Sequence, residues 1–440
     1  MTTKGKDEDY EALCDEVFTP EARFHAWANG RDNVFLTGMG GTGKSHLLRE
    51  WIDMKTRFLD QEAPIITAPT GIAALNIGGM TVHRWSGMML GPKNRDDMPS
   101  FLQNHLRRLG KKQVVDITEA KTLVIDEISM LPGLHLDYLN AFLKSIRGNR
   151  EPFGGLQIIA IGDFLQLPPV RLDDGAPYDW AFESNAWQEA EFKAIALKTI
   201  RRQEEKDYSE ALACIRLGDS RSRKVDVIKG RVMGNPPMGV TRVFTHNDAV
   251  DKWNGFALGE IDGEERVITA MKIGTPSYTA NIIKNMQPPE NLKLKLGALV
   301  MCTRNDAKAG IVNGQLGEVV GIPDRITMPH TDAPVIIRLK GGGYASIYPF
   351  LHSFTRGEED GGGQVLQYPL RLAYAMTIHK CQGLTLDSAY MDIRAAREPG
   401  QAYVALSRVR RLDGLMIKEW PNGFFVSNTA KRFYSDHGLL

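Results

Sequence analysis

The sequence predicts an α/β protein with mostly parallel sheets covered by helices on both faces, and three observations carry that prediction. Short apolar runs ending in small or polar residues recur along the chain: NVFLTG (33–38), PIITAPT (64–70), KTLVIDE (121–127), LQIIAIGD (156–163), TRVFTHN (241–247) and LDSAYMDI (386–393). Strands buried on both faces need such continuous apolar runs. Several runs lead into helix-like patterns, SHLLREWI after the first and LPGLHLDYLNAFLKSIR after the third, and that alternation implies crossover helices on a parallel sheet. At 440 residues the chain also exceeds one ordinary core and suits two or three domains.

The elements divide accordingly. A first α/β domain is expected over 1–193, interrupted at 88–118 by a polar surface excursion containing LRRLGKKQ. A second α/β domain takes 194–271 and 370–440. Between them, 272–369 is different: KLGALVMCTRN, VNGQLGEVVGI, APVIIRLK and GGYASIYPF are short β-rich stretches separated by turn residues, with no room for crossover helices. They predict a small antiparallel β-barrel insertion.

Composition narrows the function classes. There are 54 basic and 53 acidic residues, so any polyanion site must be a local groove and not a generally basic surface. No apolar run approaches the ~18 residues of a membrane span. The opening MTTKGKDEDYEALCDE has neither a signal-peptide core nor transit-peptide character, so a cytoplasmic location is expected. The four cysteines, Cys14, Cys214, Cys302 and Cys381, lie far apart with no C-x-x-C pair, which supports neither a zinc knuckle nor a disulfide framework.

GMGGTGKS, residues 38–45, fits the phosphate-binding pattern G-x-x-x-x-G-K-[ST] and lies between a strand and a helix, the context the pattern needs. Gly38, Met39, Gly40, Gly41, Thr42 and Gly43 would turn backbone N–H groups toward the phosphates at a helix N-terminus. Lys44 would neutralise the β- and γ-phosphates of ATP, and Ser45 would bind Mg2+. LVIDE supplies the partner: Asp126, leaving a buried strand, would hold Mg2+ through water, and Glu127 would polarise the attacking water.

Beyond these two motifs the chain resembles, along nearly its whole length, the PIF (petite integration frequency) DNA helicases of superfamily one, related to the RecD group. The resemblance runs in order through GMGGTGKS, APTGIAALNIGGMTVHRWSG, LVIDEISML, FGGLQIIAIGDFLQLPPV, IRRQ near 200, TRVFTHNDAVDKWN, AYAMTIHKCQGLTLD and GQAYVALSRV. It implies two RecA-like P-loop motor domains with ATP and Mg2+ as cofactors, 5′ to 3′ movement on single-stranded DNA, and duplex unwinding. Gln166 would then couple nucleotide to DNA, and Arg202 and Arg408 would be arginine fingers, whose planar guanidinium matches the charge of a transferring phosphoryl group. The site would be completed when the domains close on ATP.

For the track, the resemblance points to Pro69, Thr70, Thr81 and His83 in the first domain, with Trp85 as a stacking platform. Thr377, His379 and Lys380 take the matching role in the second domain, with His246 and Asn247 beside them. Arg107, Arg108, Lys111 and Lys112 fall where the family places its strand-separating wedge. TIHKCQG (377–383) thus becomes a strand-to-helix hinge with Gln382 and Gly383 toward the nucleotide and Cys381 packed as a small buried residue. One departure is Pro20–Glu21, at about the position where the family has an adenine-reading glutamine, which leaves nucleotide preference open. The partners implied are single-stranded DNA and duplex junctions, with monomeric action and replication, repair or recombination proteins nearby. A bacterial or phage-infected cell suits so compact a motor. An RNA or hybrid motor, and an ATP-gated loading factor that does not unwind, stay open at this point.

Overall fold

The computed structural model describes residues 18–440 apart from 59–61, 89–90, 172–175, 238, 305, 307–308, 310, 312–313, 324–332, 340–341 and 355–362. Cys14 and the polar opening segment lie outside the described residues. No helix among those described is long and apolar enough to cross a membrane. The chain forms two compact units: one comprises residues 1–70, 79–202 and 426–440, the other residues 71–78 and 203–425.

The first unit is built on six parallel strands, β1 (Val34–Gly38), β2 (Ile65–Ala68), β3 (Met80–Thr81), β4 (Thr122–Ile125), β5 (Gln157–Gly162) and β6 (Lys193–Leu197), in the order β3-β2-β4-β5-β1-β6. All residues of β1, β4 and β5 are buried, as continuous apolar runs require. Helix α1 (Pro20–Asn29) starts with Thr19, whose hydroxyl accepts from the Ala22 N–H at 3.2 Å, and with proline in its first turn. Phe24 of α1 meets Trp51 of α2 (Lys44–Asp53) edge to face at 6.1 Å, closing one side of the sheet over Val34, Ile159 and Ile195.

The excursion at 88–118 is more ordered than a polar segment suggests. It contains helices α3 (Met98–Arg108) and α4 (Lys111–Glu119), which contact α5 (Gly133–Arg147). Phe101 packs 5.2 Å from Tyr138, and His105 stacks 4.5 Å from Phe142 while its Nδ1 lies 2.5 Å from the Tyr138 hydroxyl. Arg147 donates to the Ile117, Thr118 and Ala120 carbonyls at 2.8–3.0 Å, satisfying the end of α4. Arg107, Arg108, Lys111 and Lys112 remain exposed at the turn between the two helices.

Several boundaries differ from those expected, residues 71–78 of the first domain falling in the second unit. Residues 194–202, assigned by sequence to the second domain, belong to the first unit because β6 pairs in parallel with β1 over Val34–Gly38. Residues 426–440 do so as well, because the helix Asn428–Asp436 inserts Phe433 among Phe35, Phe164, Phe182 and Trp187. Its neighbour Tyr434 is fully buried; its hydroxyl lies 2.5 Å from Thr37 Oγ1, donates to Asp163 Oδ1 at 3.2 Å and accepts from the Phe164 N–H at 3.1 Å. Tyr434→Phe leaves the shape and removes those bonds, so a loss of about 1–3 kcal/mol is expected in urea unfolding of the protein.

The second unit carries a four-stranded parallel sheet of β7 (Thr241–Phe244), β8 (Ala375–Thr377), β9 (Ala389–Met391) and β10 (Leu415–Ile417), ordered β8-β7-β9-β10. Helix α6 (Asn247–Gly259) follows β7, and α7 (Gln401–Leu406) lies between β9 and β10. Gln203 donates to the Ser407 and Val409 carbonyls at 3.0 and 3.2 Å, and the Tyr208 hydroxyl to the Leu406 carbonyl at 2.6 Å, so the end of α7 is held by side chains. The insertion consists of antiparallel sheets of five, three and two strands between Arg266 and Leu372, slightly wider than 272–369. Its main core joins Leu292, Val300, Val319, Ile337 and Tyr368.

Candidate functional site: a phosphate loop and its sheet neighbours

Residues 38–45 connect β1 to α2. Gly38, Gly41 and Gly43 adopt φ of 146°, 89° and 95°, backbone that side chains rarely adopt. A Cβ on Gly38 would also lie 2.6 Å from the Leu197 carbonyl oxygen. Thr42 donates its hydroxyl to the Met39 carbonyl at 2.9 Å, and Lys44 Nζ donates to the Gly38 and Met39 carbonyls at 2.7 and 3.1 Å. These bonds bend the loop around the lysine ammonium. Gly43 caps α2, and Ser45 is the helix's second residue, so the site combines a cation, a hydroxyl and a helix N-terminus.

Two strands away, β4 delivers Asp126 and Glu127. Asp126 is 6% exposed and its N–H bonds the Thr67 carbonyl at 2.8 Å, while Glu127 turns into the left-handed region at φ 52°. The Glu127 N–H donates to Asp126 Oδ1 at 2.9 Å. Burial, and then the charge of Glu127, push the Asp126 carboxyl up to about 7, against the opposing pull of Lys44 and Arg49. Between β4 and β1, β5 leads directly into Asp163, which is fully buried; it accepts from the Leu165 N–H and, at 3.3 Å, from the Gln166 side chain. The three motifs thus leave the C-terminal ends of adjacent strands β4, β5 and β1, where ligands bind in such sheets.

IRRQ is divided between two jobs. The Arg201 and Arg202 N–H groups bond the Gly41 carbonyl at 2.7 and 3.1 Å, tying the segment after β6 to the phosphate loop. The Arg201 guanidinium, which sequence reasoning passed over, bonds Glu21 at 3.1 Å, and its side chain lies 3.4 Å from where a Gly43 Cβ would be. Glu21, expected beside the base, is therefore paired with an arginine. Tyr434 was also missed; only the aromatic pair on a C-terminal amphipathic helix signals it.

Several residues expected on the track have structural duties. Pro69 and Thr70 follow β2 and are partly exposed. Thr81 caps the helix Val82–Ser86 by accepting from the Arg84 N–H at 3.2 Å. His83 lies 3.4 Å from His135 and is held down to about 4 by desolvation and then by that neighbour, so it is neutral at pH 7 and supplies no charge to a phosphate. Trp85 is 6% exposed; its ring is covered in the core and is no open stacking platform.

In the second unit, Thr377 is 4% exposed and caps the helix Ile378–Cys381 by accepting from the Lys380 N–H at 3.3 Å, so it orients the neighbouring residues instead of facing ligand. His379 is exposed and Lys380 partly so. The pKa of His379 is lowered by desolvation and by His246 nearby, while Glu398 acts the other way. His246 and Asn247 are exposed where β7 turns into α6. Cys381 is fully buried and its thiol is pushed up to about 12, which removes it from nucleophilic chemistry. Gln382 is buried and Gly383 takes φ 78°. Arg408, 2% exposed, donates to the Val404 carbonyl and Ser407 hydroxyl at 2.8 Å. Among the described residues no group of three or more His, Cys, Asp or Glu is placed to hold a metal.

Residues 21–223 match the model of the PIF1-like helicase family, and residues 278–322 that of the DNA helicase Pif1 2B domain. An ATP-dependent DNA helicase Pif1 of Bdellovibrio bacteriovorus is 34% identical over 92% of this chain and 88% of its own length. The chain belongs to the Pif1 helicase family. A human Pif1 relative named an ATP-dependent DNA helicase is also 34% identical, over 88% of this chain, which spans only 58% of that longer protein. Among solved structures, Pif1 helicase from Candida albicans superposes with a TM-score of 0.81 at 30% identity, covering 96% of this chain and 99% of that one. Bacteroides Pif1 bound to single-stranded DNA gives 0.68 at 28% identity, covering 96% and 97%. The Pif1 fold, two RecA-like motor domains with inserted sheets, accounts for the parallel sheets and antiparallel insertion.

Proposed function

We propose that this chain is an ATP-dependent DNA helicase that moves 5′ to 3′ on a single strand and separates the duplex ahead of it. The observation that carries the reading is the phosphate loop sharing one sheet edge with Asp126–Glu127 and Asp163–Gln166, in a chain of the Pif1 family. Relatives are named ATP-dependent DNA helicases, and Bacteroides Pif1 has been crystallised with ADP-AlF4 and with single-stranded DNA.

The residues fit ATP with a divalent cation. Gly38, Gly40, Gly41 and Gly43 let the loop turn its backbone N–H groups toward phosphate oxygens at the N-terminus of α2, and Lys44 exchanges its loop carbonyls for them. A buried carboxyl raised to about 7 is poorly compensated without a cation, so Asp126, through water, and Ser45 Oγ would hold Mg2+. Bound there, Mg2+ would screen phosphate charge. Glu127 orients the attacking water, Gln166 senses the γ-phosphate side of the loop, and Arg202 and Arg408 stabilise the transferring phosphoryl group. Gln382 and Gly383 complete the nucleotide contacts.

The single strand is gripped by Pro69, Thr70, Thr81 and His83, and by His246, Asn247, His379 and Lys380. Thr377 acts through its cap. Arg107, Arg108, Lys111 and Lys112, exposed on a well-anchored helix pair, are proposed to meet the junction, with the protein acting as a monomer. His379→Ala should weaken stimulation of hydrolysis by single-stranded DNA several-fold; a variant whose half-maximal DNA concentration and stimulated rate equal those of the wild type would remove this residue from the track. The whole reading is tested by unwinding duplexes with a 5′ or a 3′ tail, in DNA and RNA, with ATP and Mg2+. DNA should unwind from 5′ tails; unwinding only from 3′ tails would overturn the polarity.

A further inference from the structure

The C-terminal edge of the second sheet continues past the residues assigned to the track. Thr377 of β8 pairs with Phe244 of β7, Met391 of β9 with Val243 of β7, and Ile417 of β10 with Met391. The Asp392 N–H bonds the Val243 carbonyl at 2.9 Å and the Lys418 N–H the Met391 carbonyl at 3.0 Å, so the four strand ends form one row. Walking along it, at about 5 Å per strand, one passes His379 and Lys380, then His246 and Asn247, then the loops after β9 and β10. Between those last two loops lies a cavity of about 430 Å³, within the range of small-ligand sites.

The lining has a definite chemistry. Trp420, Phe424 and Phe425 supply ring faces, with Trp420 and Phe424 edge to face at 5.4 Å. Arg397 places its guanidinium 5.6 Å from the Phe425 ring, and Arg394 pairs with Glu419 at 2.6 and 2.7 Å. Phe425 is 47% exposed, a large aromatic surface left in water. The walls are fixed: the Arg397 N–H bonds the buried Gln401 side chain at 3.1 Å, and the Gly400 N–H bonds the Phe425 carbonyl at 2.9 Å. Rings for stacking, a carboxylate oxygen that accepts from a base N–H, and an arginine beyond it for the adjoining phosphate match a nucleobase on a phosphate backbone.

We infer that this pocket is an additional DNA subsite that takes one unstacked base of the single strand, extending the track past His246 along the same sheet edge. The inference rests on the single-strand reading given under Proposed function. Stacking on Trp420 and Phe425 provides the grip, and Arg397 meets the phosphate. Because Gln401, which fixes the Arg397 loop, opens the helix that leads to Arg408, occupancy also braces that helix.

The test is fluorescence anisotropy with labelled oligodeoxythymidylates of about 6 and 12 nucleotides, lengths spanning ordinary single-strand site sizes. Trp420→Ala and Phe425→Ala should each weaken the longer oligonucleotide relative to the shorter by roughly 5- to 100-fold, Trp420→Phe should recover most of it, and Arg397→Ala should reduce the salt slope by about one. Phe425 is exposed, so its variant keeps the comparison valid if Trp420→Ala melts early. A long-to-short ratio equal to the wild type's in a Phe425→Ala protein of normal melting temperature overturns the subsite. So does thymidine monophosphate binding lost in that variant with the ratio unchanged, since the pocket then takes free nucleotides. Wild-type protein that binds neither oligonucleotide removes the subsite together with the motor reading.

Discussion

Lys44→Ala is expected to reduce ATP hydrolysis by about 10²- to 10³-fold, the cost typical of deleting one well-placed charge-stabilising donor, while leaving single-stranded DNA binding nearly intact. The asymmetry follows from where Lys44 sits. Its ammonium spans the Gly38 and Met39 carbonyls at 2.7 and 3.1 Å, inside the phosphate loop, and belongs to no residue group assigned to the strand. The loop keeps its glycine geometry and its Thr42–Met39 bond, so the fold should lose no more than about 1 kcal/mol. Steady-state phosphate release and anisotropy on a fluorescent oligonucleotide measure the two quantities separately. A variant that loses both together would place Lys44 in the strand's path.

Asp126→Asn is expected to move activity and stability in opposite directions. Hydrolysis should fall by about 10²-fold or more, because an amide cannot hold a cation as a carboxylate does. Stability should rise by about 1–3 kcal/mol at pH 8 without nucleotide or metal. The folded carboxyl, raised to about 7 by burial and Glu127, is costly to ionise, whereas an unfolded aspartate ionises near 4. The wild type therefore has its full stability from this group below pH ~4, loses it as pH rises through ~7, and bears the whole cost above that. Asparagine keeps accepting the Glu127 N–H and never ionises. The gain over wild type should shrink to roughly a third at pH 5. Thermal melting at pH 5 and pH 8 checks this, and an equal difference at both pH values would show that Asp126 is not buried against its charge.

Much of this was legible in the sequence because it is local. The phosphate loop needs its glycines within eight residues, and LVIDE carries both the apolar strand and the acidic end it delivers. The antiparallel insertion shows in turn residues that leave no room for crossovers. What escaped depends on distant partners. AIAL near 195 is equally plausible as the first strand of a new sheet; only pairing with Val34–Gly38 makes β6 the last strand of the old one. The helix Asn428–Asp436 carries no mark of its destination until Tyr434 meets Thr37 and Asp163, more than 270 residues away in sequence order. His83 and Trp85 have residue types suited to nucleic acid, but burial against His135 and the core decides their charge and exposure. Thr377 caps the turn that carries His379 and Lys380, a job that its residue type alone does not announce.

The most direct test of the central claim is steady-state ATP hydrolysis with Mg2+, measured with and without a saturating single-stranded oligonucleotide. An ATP-driven motor gripping the strand through His246, His379 and Lys380 predicts a several-fold rise in turnover when the strand is added. A rate that no nucleic acid changes would contradict it.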